Sequence, residues 1–93
     1  MRLYALVIID NASYEPTTTV ELVTTSSDRV LGLARTLANR AKKAAKGRKS
    51  EYLIKGDVAD YKVLTAAGAL LFNFRVTVVA CLEIDLDGSG YIG

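Results

Sequence analysis

A chain of 93 residues that is 51% apolar and 24% charged has the composition of an ordinary globular domain, which excludes disorder and predicts a single domain over 1–93 with one core. One cysteine, Cys81, excludes an intrachain disulfide framework, and the lack of histidine removes the commonest general base and metal ligand. The net charge is only +2, so where the charges lie matters more than their sum.

The opening MRLYALVIID carries one basic residue, has no small-residue cleavage site of a signal peptide, and reads as a strand over 2–10. The stretch 19–25 sets Val20 and Leu22 against Glu21 and Val23, and NASYEP between the two is a turn-type loop. An antiparallel hairpin is expected. A helix over about 28–46 follows, with Ser26 or Ser27 as N-cap, Asp28 in the first turn and Gly47 just beyond its end. Val30, Ala34, Leu37, Ala38, Ala41, Ala44 and Ala45 form its apolar stripe, and Leu31 and Leu33 add anchoring near its start.

Beyond the helix, strands are expected at 51–55, 59–66 and 70–85, with KGD and AAGA as turns. In the last strand Phe72, Phe74, Val76, Val78, Ala80, Leu82 and Ile84 alternate with Asn73, Arg75, Thr77, Val79, Cys81, Glu83 and Asp85. A straight strand of that length would reach ~50 Å at ~3.3 Å per residue, which implies a bend, a bulge or a partner chain. A competing reading makes 58–71 a second helix, because Val58, Tyr61, Leu64 and Ala67 or Gly68 are helically spaced; Gly68 is costly in a helix interior. The pattern predicts an α+β fold in β-β-α-β-β order: an antiparallel sheet of four to five strands with the basic amphipathic helix packed on one face. Asn73 and Arg75 interrupt the longest apolar run, so a soluble, cytoplasmic protein without a membrane span is expected.

The terminal EIDLDGSGYIG resembles an EF-hand loop over nine positions. Asp85, Asp87 and Ser89 fall at oxygen-ligand positions 1, 3 and 5, with Gly90 at the sharp turn. The resemblance implies a weak calcium site, but the glutamate of position 12 is missing and the preceding segment has a period of two. Asp87-Gly88 is also a hairpin signal, and a turn or tail is the favoured reading, with no cofactor or metal.

Catalytic parts are few. Cys81 and Arg75 stand six residues apart, ~20 Å along a strand, too far for a thiolate pair. Asp57 and Asp60 are close enough in sequence for a carboxylate pair, but GDVAD reads better as turn chemistry. The glycines are scattered and form no phosphate loop. A non-enzymatic protein is expected.

Charge placement is the strongest signal. Arg29, Arg35, Arg40, Lys42, Lys43, Lys46, Arg48 and Lys49 are eight of the twelve basic residues, and no acidic residue occurs from 29 to 50. The rest of the chain holds four basic and all ten acidic residues, a charge of −6 against +8. On a helical wheel with Val30 at zero, the helical bases fall between roughly 120° and 280°, opposite the apolar stripe. Lys42, Lys43 and Lys46 suit a helix C-terminus, yet Arg40 with Lys43 and Lys42 with Lys46 are like-charge pairs, which a merely solvated helix avoids. The basic face, with Asn39 in its middle, is therefore expected to bind nucleic-acid backbone. The alternative is a protein-interaction or inhibitor module docking on an acidic protein surface, including Glu83, Asp85 and Asp87 of a second copy. In size and in lacking catalytic motifs the chain is similar to small phage-borne proteins that block host machinery, anti-CRISPR proteins among them, which implies the same alternative. A homodimer is expected because the strand 70–85 outruns any partner in its own chain.

Overall fold

The computed structural model describes residues 2–12, 14–44 and 49–81, the last without the side chain of Cys81. Its elements are β1 (Arg2–Asp10), β2 (Thr17–Thr24), α1 (Ser27–Ala44), β3 (Lys49–Lys55), β4 (Val58–Leu64) and β5 (Leu70–Cys81). The strands form one antiparallel sheet in the order β2-β1-β5-β4-β3. The fold is α+β, as the periodicities predict. Among the described residues no helix is long and apolar enough to cross a membrane.

β5 is the central strand rather than an overhanging one. Phe72 to Val76 pair with β1 on one side and with β4 on the other. The absence of a partner strand, on which the homodimer expectation rested, therefore does not hold over these residues, and 82–85 of the expected strand lie outside the described residues. Two irregularities shape β5, one between Leu3 and Tyr4 of β1 and one between Val63 and Leu64 of β4. Each leaves one residue of β5, Val79 or Leu71, without an opposite number. Bulges are one of the three outcomes that the strand's length implied, beside a bend or a partner chain.

The second helix over 58–71 is overturned. Ala59, Tyr61 and Val63 are buried on one side of β4, a period of two, and Thr65–Ala69 closes a turn through Thr65 N–H to Ala69 O (2.8 Å) and Gly68 N–H to Thr65 O (2.9 Å). Gly68 has φ 92° and Gly56, in the two-residue turn between β3 and β4, has φ 60°. Both angles are strained for any residue with a Cβ.

Ser26 is the cap of α1: its Oγ accepts from Arg29 N–H at 3.2 Å, and its carbonyl accepts from Val30 N–H at 3.2 Å. Val30, Ala34 and Ala38 are the buried residues of the helix, while Leu31, Leu33, Leu37 and Ala41 pack at the margins. Alanines at the closest approach let the helix backbone lie near the sheet, so the large side chains come from below: Tyr4, Leu6, Tyr61, Val63, Phe74 and Val76. Ala44 is exposed, and the expected residues 45 and 46 lie outside the described ones.

The helix covers one face only. The molecule measures 54 × 25 × 17 Å with a radius of gyration of 15.6 Å, against ~12 Å for a compact chain of this length. No described element lies over the other face, called the open face below. At its centre Asp60 accepts from Arg75 Nε at 2.9 Å and from Asn73 Nδ2 at 3.1 Å. Partial burial pushes the Asp60 carboxyl up, but the bonds from Arg75 and Asn73 and the charges of Arg75 and Lys62 outweigh it, and the group titrates below its ordinary value. A carboxyl lowered in this way stabilises the fold fully above its unfolded value of ~3.9 and loses that contribution as pH falls through the folded value. Asp60→Asn is therefore expected to flatten the acid limb of unfolding free energy against pH, read by urea titration below pH ~4. An unchanged limb would assign acid sensitivity to other carboxylates.

Candidate nucleic-acid interface

The basic face is continuous along α1. Arg29, Arg35, Asn39, Arg40 and Lys43 are exposed and Lys42 is half-buried, while Lys49 is exposed at the start of β3. Lys46 and Arg48 lie outside the described residues. With ~1.5 Å rise per residue, Arg29 to Lys43 covers ~21 Å of helix. Arg35, Asn39 and Lys43 are spaced i, i+4, i+8 and follow one line along its exposed side. On the helical wheel Lys42 falls on one flank and Arg29 and Arg40 on the other, where Arg40 shares a groove with Ile8 of β1 and Glu21 of β2.

Among the described residues none of these cations has a carboxylate partner. The ion pairs of the described residues are elsewhere: Arg75 with Asp60 at 2.9 Å and Arg2 with Asp57 at 3.5 Å. Unneutralised cations on one exposed face keep a positive field that solvent screens only over about a Debye length, ~8–10 Å.

One feature escaped the sequence. Tyr52 of β3 donates its hydroxyl to Asn39 Oδ1 at 3.0 Å and stands edge-on to Tyr61, centroids 5.0 Å apart. A half-exposed aromatic thus borders the basic face, where the linear order showed none among the bases. The bond also uses the Asn39 oxygen, leaving its amide N–H groups as the donors for a ligand. The local signal for this pairing is absent, because 13 residues separate the two and only the crossing of α1 over the β3 side of the sheet brings them together.

Arg40 differs from its neighbours. It stands at the rim of a groove of ≈ 330 Å³ whose wall includes Ile8, Leu37, Phe72 and Phe74, with Glu21 on the same lining. A substitution there perturbs packing as well as charge, so Arg35 and Lys43 are the cleaner probes of the face.

The acidic side chains do not converge. Asp57 accepts from the Tyr4 hydroxyl at 2.8 Å, a bond that raises the Tyr4 pKa above its ordinary value, whereas Asp60 points to the open face. Asp85, Asp87 and Ser89 lie outside the described residues, and among the described ones no group of three His, Cys, Asp or Glu could hold a metal ion. The fold and site so far define a small α+β protein with a cationic helix face. No protein-family model, curated protein or solved structure matches the chain.

Proposed function

We propose that the outer face of α1 is a non-enzymatic docking face for nucleic-acid backbone. The observation that carries this reading is the row of cations, free of carboxylate partners among the described residues, on an exposed and well-capped helix. Cations spread over the whole exposed side suit a helix lying along a duplex groove, where phosphates line either side and a helix ~10–12 Å across matches a major groove ~12 Å wide. Asn39 is exposed among these cations and keeps its amide donors, but a single side chain supplies little base reading, so affinity for backbone should exceed selectivity for sequence.

If four or five phosphates are neutralised, log affinity for duplex DNA should fall against log salt with a slope of about −4, from ~0.9 per phosphate. Titration at several salt concentrations reads this directly. A slope near zero, or no binding at low salt to either DNA or RNA, would remove the proposal. Retention of an acidic protein from a nuclease-treated extract would then favour the protein-interaction alternative.

A further inference from the structure

The open face of the sheet is not built for water. An antiparallel sheet with one solvated face shows apolar residues on one side and polar residues on the other, whereas strands buried on both faces read as continuous apolar runs. β1 is of the second kind: Tyr4, Leu6 and Ile8 pack under the helix, and the alternate residues face the other way, Ala5 buried among its neighbours and Leu3, Val7 and Ile9 half-buried. Beside them β2 contributes Val20 and Val23, opposite Val7 and Ala5, and β5 contributes the bulged Val79. These last three are 58%, 50% and 52% exposed. Across the sheet Leu53 of β3 is 68% exposed beside Asp60.

We infer that this face is the interface with a second copy of the chain, forming a two-sheet sandwich with α1 on each outside. Three observations select a second copy. The area fits: five strands at ~4.8 Å spacing and ~28 Å mean length present ~700 Å², close to the ~800 Å² per partner of a standard interface. The arrangement is self-complementary. The β1–β2 half is uncharged and mostly apolar, with Thr18 opposite Ile9, while the β3–β4 half carries both signs in Glu51, Lys55, Asp60 and Lys62, with Arg75 on the adjacent β5. A two-fold axis lying between the sheets and across the strands sets apolar half on apolar half and reverses the charged half over itself. The central Asp60 has both carboxylate oxygens engaged by Arg75, at 2.9 and 3.4 Å, so closure over it leaves no acceptor stranded.

This interface does not depend on what α1 binds. The test is sedimentation of the full chain and of Val20→Lys/Val79→Lys. Both positions are about half exposed or more, and circular dichroism checks that the variant stays folded. At ~100 μM, above the micromolar upper range for interfaces of this size, the wild type should sediment as a dimer and the variant as a monomer. A dimer that survives the substitutions would overturn the inference in favour of an edge contact. A monomeric wild type would overturn it too.

Discussion

Leu6→Ala is expected to lower the free energy of unfolding by about 3 kcal/mol, within the ~2–5 kcal/mol range for buried leucines. Leu6 is 0% exposed, paired between Leu22 and Val76, and lies in one buried cluster with Val30, Ala34 and Ala38 of the helix. Its size is needed because the helix brings small residues to the contact. Neither Ala34 nor Ala38 can extend into the space that the lost side chain leaves, so the cavity should persist and add to the lost transfer energy. For a domain under 100 residues, each kcal/mol lowers Tm by ~4–8 °C, so the midpoint should fall by ~12–24 °C. Leu53→Ala on the open face is the control, expected to change monomer stability by under ~0.5 kcal/mol. Thermal denaturation of both variants at low concentration checks the pair, and equal losses would contradict the placement of the core.

Arg35→Glu/Lys43→Glu should weaken duplex binding about 100-fold at ~0.1 M salt, since each lost phosphate contact removes ~0.9 of a decade between 1 M and 0.1 M salt. The salt slope should become shallower by about two. Both side chains are exposed and neither touches the groove beside Arg40, so the far-ultraviolet spectrum should be unchanged. A small thermal loss is expected, because a glutamate at position 43 opposes the helix dipole by ~0.3–1 kcal/mol. Binding that falls without a change in slope would place the contact elsewhere than on phosphates.

The elements were legible wherever their signals were local. Ser26 and Ser27 marked the start of α1, of which Ser26 is the cap, the Gly56 and Gly68 turns announced β3–β4 and β4–β5, and the alternation from Phe72 onward announced β5. The sheet order was not, because antiparallel pairing of β5 with β1 joins residues some 70 positions apart and no short-range pattern reports it. The same limit hid Tyr52 beside Asn39 and parted Asp57 from Asp60: two residues close in sequence were sent to different surroundings, two distant ones brought together. The cationic face was legible because it lies on a single helix, whose geometry follows from sequence spacing alone.

The two-sided apolar character of β1 has a cost in uniqueness. A slip of one residue would exchange Leu6 and Ile8 for Val7 and Ile9 beneath the helix, apolar for apolar, and hydrophobic burial alone discriminates poorly between two such alignments. Polar groups must make the choice. The Tyr4 hydroxyl reaches across the sheet to Asp57 in the β3–β4 turn, where Arg2 also meets the same carboxylate oxygen. Displacing β1 by one position would turn the tyrosine to the opposite face and strand that contact. This small cluster at one end of the sheet works as a register mark: it identifies the correct alignment of a strand whose apolar residues would accept either.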